Sequence, residues 1–116
     1  MHFKLIIALV DDQKTDIVME TARACGATGA TVVHQARGEG LKTSKTFFGL
    51  TLEAQRDMLL FLVEEHLARK ILERIAVSAE FDKQQGSGIA FQIDVEDAVG
   101  VAHQVKSLSG IVEDEI

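Results

Sequence analysis

The chain has 116 residues, which suits one domain and leaves little room for a second. Its formal net charge of -6 argues against general nucleic-acid binding, which needs a basic surface. The single cysteine, Cys25, excludes an intrachain disulfide, and neither a secretion signal nor an apolar segment of membrane-spanning length is recognisable. We therefore expect one cytoplasmic domain over residues 1–116.

The first half of the chain predicts a strand, a helix and a second strand. The nearly continuous apolar run 3–10 ends at two aspartates and is typical of a strand buried on both faces. Apolar residues then recur with helical spacing over about 15–25, with Asp12 and Thr15 as candidate N-caps. The segment 29–36 is rich in β-branched residues and predicts the second strand.

The second half predicts a strand, a helix and a strand. The apolar run 58–63 indicates a third strand, which we expect to start near residue 52. Glu64 and Glu65 then place negative charge at the start of a second helix, which runs to about residue 79. Residues 89–95 alternate between apolar and other side chains, as in a strand with one buried face, and 96–106 fit a short helix or strand.

This order of elements, βαββαβ, predicts an α+β fold of the ferredoxin-like type. Such a domain is a sandwich of a four-stranded antiparallel sheet with two helices on one face. The first and third strands are central in this topology, and they are the two continuous apolar runs of the sequence. The second and fourth strands are mixed or alternating, as expected for edges, so pattern and topology agree.

Side chains that could carry catalysis or bind a metal show no recognised spacing. The four histidines are scattered without a zinc-type pattern, and the sequence has no serine elbow, HExxH or Walker A motif. Cys25 lies near the end of a predicted helix, where the dipole disfavours a reactive thiolate. Asp11 and Asp12 favour turn and capping roles. We therefore predict no enzyme activity, no catalytic residue, no metal site and no required cofactor.

Two pairs of glycines could bring the backbone close to a phosphate. Gly38 and Gly40 follow the second strand and open a polar stretch, 37–50, that we expect to be the most mobile part of the chain. Gly86 and Gly88 precede the fourth strand. Glycine lets backbone N–H groups approach a phosphate, but the same pattern is common in tight turns, so both interpretations stay open.

The order and spacing of short motifs over nearly the whole chain resemble the P-II family of trimeric signalling proteins. The motifs are KTDIV at 14–18, GATV at 29–32, RGEG at 37–40, GSG at 86–88, Phe91 and VEDAV at 95–99. The resemblance implies a homotrimer that binds an adenine nucleotide, AMP, ADP or ATP, in clefts between subunits. It also implies a flexible loop at about 37–52 that controls a partner, such as a membrane transporter or permease.

Carried over residue by residue, the resemblance assigns a role to two groups of residues. The implied nucleotide-binding residues are Thr31, Gly38, Gly40, Leu41, Arg56, Leu62, Gly86, Ser87 and Gly88. The implied partner-binding loop residues are Arg37, Lys42, Lys45, Phe47 and Phe48.

The chain departs from the family pattern at three cationic positions. Ile89, Gly100 and Ala102 stand where the family has basic residues, which removes much of the charge that would hold a triphosphate. We therefore predict a divergent branch in which AMP or ADP competes better against ATP than in other members. The chain also has no tyrosine, so the tyrosine modification used by enteric members is excluded.

Two other classes of function stay open at this stage. The same topology serves trimeric metal-binding or structural modules that resemble the divalent-cation tolerance protein, although scattered histidines do not favour this alternative. A small hydrolase or isomerase on the same scaffold would need a nucleophile–base pair, which the sequence does not show.

Overall fold

The computed structural model describes residues 2–36, 46–47, 50–51, 56–84 and 87–101, with the backbone alone for 46–47 and 50–51. The elements in chain order are β1 (Phe3–Asp11), a short 3-10 turn (Asp12–Lys14), α1 (Thr15–Ala24), β2 (Thr31–Ala36), β3 (Thr46–Phe47), β4 (Leu50–Thr51), β5 (Arg56–Glu64), α2 (Glu65–Ser78) and β6 (Gly88–Val95).

Four strands form one antiparallel sheet in the order β2-β5-β1-β6, and β3 pairs with β4 in a separate two-stranded ribbon. The two continuous apolar runs are therefore the central strands, as predicted. The structure confirms the ferredoxin-like βαββαβ fold. The small ribbon interrupts the connection between β2 and β5, where the sequence predicts only a loop.

The hydrophobic core lies between the sheet and the two helices. Alternate side chains of a strand point to opposite faces, so each central strand contributes every second residue to this core. Fully burying one large apolar side chain contributes about 1.5–3 kcal/mol. The fully buried core side chains come from β1 (Ile6, Ala8, Val10), β5 (Leu59, Phe61, Val63), α1 (Val18, Ala22) and α2 (Ala68, Ile71, Ile75).

The prediction that β1 is buried on both faces is wrong for the single chain. Leu5, Ile7 and Leu9 alternate with the buried residues of β1 and are only half-buried, because the helices cover the opposite face. On the same uncovered side, Phe91 and Ile93 of β6 are 40% and 46% exposed. We call this apolar side of the sheet the open face.

The two candidate N-caps of α1 are also wrong. The Asp11 carboxylate accepts a hydrogen bond from the Gln13 N–H at 2.9 Å and so caps the 3-10 turn. Lys14 then occupies the N-cap position of α1 without a side-chain cap. The Thr15 hydroxyl is unavailable for capping because it donates to Asp57, a residue of β5. At α2 the predicted acidic start is confirmed, since Glu64 accepts from the His66 N–H at 2.7 Å.

The remaining sequence predictions concern Cys25, the chain after β6 and the segment after β2. Cys25 ends α1 and packs against the core, as predicted. Residues 96–101 form neither helix nor strand, and the rest of that predicted element, 102–106, lies outside the described residues. The predicted mobile segment 37–50 also lies outside them, apart from the backbone of β3 and of Leu50. Within the described part of the chain, no helix is long and apolar enough to cross a membrane.

Candidate functional site

Four strand ends meet at one end of the sheet. β5 begins there at Arg56, which pairs with Asp11 at the end of β1 and with Ala36 at the end of β2. β6 begins beside them, because Gly88 pairs with Val10. This arrangement brings together three predicted nucleotide-binding residues, since Ser87 directly precedes Gly88.

Arg56 is the most unusual residue at this end of the sheet. Its side chain is only 3% exposed and lies on the open face. Its Nη1 is 3.3 Å from Asp11 Oδ2, within ion-pair distance, but Nε and Nη1 have no hydrogen-bond acceptor among the described residues. A buried charged donor without an acceptor is unfavourable. The guanidinium therefore has two buried donor nitrogens whose hydrogen-bonding capacity is unused by the described residues.

The backbone of Ser87, just before β6, is less available for binding a phosphate than the glycine pattern of the sequence suggests. The Ser87 N–H donates to the Gln84 carbonyl at 3.2 Å, and the Ser87 carbonyl accepts from the Asp11 N–H at 3.0 Å. The Ser87 hydroxyl donates to the carbonyl of Glu80 at 3.2 Å. A phosphate could accept a hydrogen bond from the Ser87 N–H only if it displaced the Gln84 carbonyl. The predicted role of Ser87 in nucleotide binding therefore requires a local rearrangement.

Packing within the chain explains the glycine at position 88. A Cβ at this position would lie 2.7 Å from Phe81 Cε1 and 2.8 Å from the Leu9 carbonyl oxygen. Glycine is required here even without a ligand. The turn interpretation therefore accounts for Gly88, and Arg56 carries more weight than the glycines as a sign of ligand binding.

The opposite face of the same sheet end holds a second polar cluster, which the sequence analysis missed. Asp57 is buried, and its carboxylate accepts from the Thr15 hydroxyl at 2.5 Å and from His34 Nδ1 at 3.0 Å. It also accepts from the Gln35 N–H. A cleft of about 560 Å³ opens beside it, lined by Asp12, Gln13, Thr15, Asp16, His34, Gln35 and Asp57.

Asp57 is ionised in the folded protein. Burial raises its pKa, but the hydrogen bonds from Thr15 and His34, the charge of the imidazole when protonated and the bond from Gln35 outweigh burial. The pKa of Asp57 is therefore lowered from its ordinary value of 3.8. A carboxyl group with a lowered pKa stabilises the fold above the pKa of the unfolded chain, and this contribution is lost as the pH falls through the folded pKa.

We expect the Thr15→Val substitution to lower the free energy of unfolding at pH 7 by about 2 kcal/mol, because the variant loses a hydrogen bond to the charged Asp57 carboxylate. The difference should shrink below the ordinary Asp57 pKa of 3.8, as Asp57 becomes protonated in both proteins. Urea denaturation at a series of pH values measures this, with Thr28→Val at an exposed threonine as the control. A difference that stays constant down to strongly acid pH would contradict the role of Asp57.

Two predicted nucleotide-binding residues lie farther along the sheet. Thr31 pairs with Leu60, four residues from Arg56, or about 13 Å along the strand. Leu62 pairs with Leu5 and lies about 20 Å from Arg56 by the same spacing. The structure of one chain therefore does not bring Thr31 and Leu62 to Arg56.

The other predicted site residues stay predictions. Those outside the described residues are Arg37, Gly38, Gly40, Leu41, Lys42, Lys45, Phe48 and Gly86. Phe47 belongs to β3, of which only the backbone is described. Among the residues that the structure places, no three His, Cys, Asp or Glu side chains form a group that could hold a metal ion.

Comparison with known proteins identifies relatives for nearly the whole chain. The sequence model of the family described as nitrogen regulatory protein P-II matches residues 3–104. No curated protein matches the sequence.

Similar folds occur among solved structures. CPII of Thiomonas intermedia, solved with ADP, AMP and acetate bound, is 21% identical with a TM-score of 0.62, and the match covers 83% of this chain and 90% of that one. The apo form of CPII gives 19% identity and a TM-score of 0.63, covering 82% and 90%. A protein of Thermus thermophilus described as a PII-like signalling protein is 25% identical with a TM-score of 0.59, and the match covers 82% of this chain and 87% of that one.

Proposed function

The chain belongs to the nitrogen regulatory protein P-II family, and we propose that it transmits a signal by binding an adenine nucleotide and controlling a partner protein. The family is one of regulatory signalling proteins, so we assign no catalytic step to the residues at the sheet end. The ligand would occupy the open face near Arg56, and the connection between β2 and β5 would present the bound state to the partner.

The observation that carries this proposal is the buried guanidinium of Arg56. Its Nε and Nη1 lack hydrogen-bond acceptors among the described residues, which leaves two buried charged donors for the oxygens of an anionic ligand. The ligands of CPII, which are ADP, AMP and acetate, are all anions and support an anion site in this fold. A nucleotide phosphate would supply the acceptors that Arg56 lacks.

We also propose that AMP and ADP compete better against ATP at this site than in other members of the family. Ile89 is an apolar residue that pairs with Leu9 beside the sheet end. Gly100 is exposed and, as a glycine, has no side chain that could contact a phosphate. Neither residue supplies the cation that the family pattern has at that position. A third phosphate would therefore enter a partly desolvated site without its counter-charge.

A thermal-shift experiment tests the proposed ligand class directly. A nucleotide present at 100 times its dissociation constant adds about 2.7 kcal/mol of stability, which raises the melting temperature of a domain of this size by about 10 °C. We expect AMP and ADP to produce such a shift and inorganic phosphate to produce a smaller one. No shift with any adenine nucleotide would contradict the proposal.

The open face supports a homotrimer as the active form. Its half-buried and exposed apolar side chains come from all four strands of the main sheet, and they would remain partly in water in a monomer. Joining three such faces around an axis would remove them from water and would form clefts between neighbouring chains. A cleft between chains could also bring Thr31 or Leu62 of one subunit near Arg56 of another.

We expect light scattering to give a mass of about 38 kDa, three times the 12.7 kDa of one chain. Ile93→Glu should dissociate this assembly, because it places a charge on the apolar open face, where Ile93 is 46% exposed in the single chain. Val77→Glu is the matched control, since Val77 is 76% exposed on α2 and faces away from the sheet. A parent protein that is monomeric at micromolar concentration would contradict the trimer.

We propose that the partner reads the segment 37–52, which carries the basic residues Arg37, Lys42 and Lys45. Three cations in a short polar segment suit an acidic surface, such as the cytoplasmic vestibule of a membrane transporter. The match to a signalling family favours this function over a metal-binding module.

A further inference from the structure

A groove lies between the two helices on the outer side of the helix layer. It has a volume of about 430 Å³ and shares no lining residue with the cleft beside Asp57. The helices cover one face of the sheet and the open face is the other, so joining open faces in a trimer leaves this groove accessible. Its lining includes Thr21 and Cys25 of α1 and Lys70, Arg74, Val77 and Ser78 of α2.

The half-buried lining residues form a floor that is held by contacts within the chain. The Thr21 and Ser78 hydroxyls are 2.8 Å apart and join α1 to α2. Each hydroxyl also contacts a carbonyl of its own helix, Thr21 that of Ile17 at 2.7 Å and Ser78 that of Ile75 at 3.4 Å. Cys25 packs against the hydrophobic core. The floor is therefore preformed, and its hydroxyls have partners without a ligand.

The exposed lining residues of α2 form a stripe that carries two positive charges. Lys70, Arg74 and Val77 are spaced i, i+4 and i+7, so they lie on one side of the helix, and the two cations are about 6 Å apart along its axis. Neither cation has an ion-pair partner among the described residues, and the neighbouring Glu73 pairs with Arg69 at 2.9 Å. Val77 is 76% exposed. The stripe is therefore a basic and apolar surface on a chain whose net charge is -6.

We propose that this groove binds an acidic amphipathic helix of a partner protein. Two carboxylates four residues apart on such a helix would have the same spacing of about 6 Å as Lys70 and Arg74. An apolar side chain one turn farther along would cover Val77, in the way that an amphipathic helix binds in a groove. None of the described lining residues is Asp or Glu, so the lining presents only positive charge to the carboxylates.

The charge of the whole chain favours a narrow peptide over an anionic membrane. A bilayer would contact a broad surface of the protein, and a net charge of -6 would oppose that contact. A single helix, about 10 Å wide, can contact the groove alone. The proposal does not rest on the proposed function, because the groove contains none of the residues assigned to the nucleotide or to the segment 37–52.

Fluorescence anisotropy of labelled peptides, measured without nucleotide, tests the groove. The probes are two capped peptides of about 16 residues, long enough to form a helix, with Glu, Glu and Leu on one face. One peptide has these residues at i, i+4 and i+7, and the other has them in the reverse order, because a helix can lie in the groove in either direction. We expect saturable binding of at least one acidic probe, weakened by added salt, and no binding of matching probes with Lys in place of Glu.

A charge-reversed groove provides the matched comparison. Lys70→Glu combined with Arg74→Glu should weaken binding of the acidic probe by about tenfold or more and should allow the lysine probe to bind. Arg69→Glu combined with Lys83→Glu is the control, because it changes the net charge equally at residues that do not line the groove. All four side chains are exposed, so neither pair of substitutions alters the core.

Three results would overturn the proposal. One is the absence of saturable binding for both acidic probes, and another is an equal loss of binding in the groove variant and the control variant. The third is binding of the parent protein to phosphatidylserine vesicles that is lost in the groove variant, which would assign the groove to a membrane surface. Because no nucleotide is present, failure of this proposal and failure of the proposed function can be told apart.

Discussion

Replacing Arg56 with methionine is expected to weaken ADP binding about 100-fold, because charge-assisted hydrogen bonds to the phosphate oxygens of ADP are lost. The same substitution should leave the free protein as stable as the parent or stabilise it by about 1–4 kcal/mol. The reason is that methionine fills a similar volume without two buried donors that lack acceptors. Asp11, which loses its ionic neighbour, is one-third exposed and keeps its bond to the Gln13 N–H.

Weaker ADP binding together with equal or higher stability is the result expected for a residue that serves function at a cost in stability. Calorimetric titration measures the affinity for ADP. Urea denaturation at a fixed protein concentration measures the free energy of unfolding. Arg69→Met on α2 is the control, since Arg69 is exposed and pairs with Glu73 at 2.9 Å, far from the sheet end. Unchanged ADP affinity in Arg56→Met, or a large loss of stability, would show that Arg56 is structural.

Gly88→Ala should destabilise the free protein by about 2–3 kcal/mol through overpacking. The new Cβ would lie 2.8 Å from the Leu9 carbonyl oxygen, which belongs to a central strand and cannot move aside. Gly29→Ala is the control, because nothing lies within 4 Å of its Cβ position, and it should change stability by less than about 0.5 kcal/mol. Equal stability of the two variants in urea denaturation would contradict the packing account of Gly88.

Gly88 is a poor position for mapping the ligand site. Gly88→Val would be expected to abolish nucleotide binding if the glycine allowed a phosphate to approach. The structure shows that any side chain at position 88 collides with Phe81 and Leu9 first. A loss of binding in such a variant would report unfolding, so Arg56 is the better position for testing ligand contact.

The fold was predictable from the sequence because its signals are local and repeated. Two continuous apolar runs identified the central strands, and alternation over 89–95 identified an edge strand. Each pattern spans six or more residues, so an error at one position does not change the interpretation. Cap positions depend on a single side chain. Thr15 was misassigned because its hydroxyl is used by a contact with Asp57, 42 residues away.

The candidate site was predictable only in part, because it depends on contacts between distant residues. Arg56 was selected through a family resemblance, but its burial and missing acceptors are properties of the folded chain. In the sequence His34 is one of four scattered histidines, and its contact with Asp57 joins residues 23 positions apart. One local signal was present: Asp57 alternates with Leu59 and Phe61 and therefore points toward the core, where a carboxylate needs donors.

Isothermal titration of the parent protein with ADP tests the central claim most directly, and the same experiment is repeated with AMP and ATP. We predict saturable binding with about one site per chain, and we expect ATP to bind no more than about tenfold more tightly than ADP. Tighter binding of ATP would show that another cation completes a triphosphate site. If none of the three nucleotides binds to a correctly assembled protein, the buried guanidinium of Arg56 does not serve a nucleotide, and the proposed function is wrong.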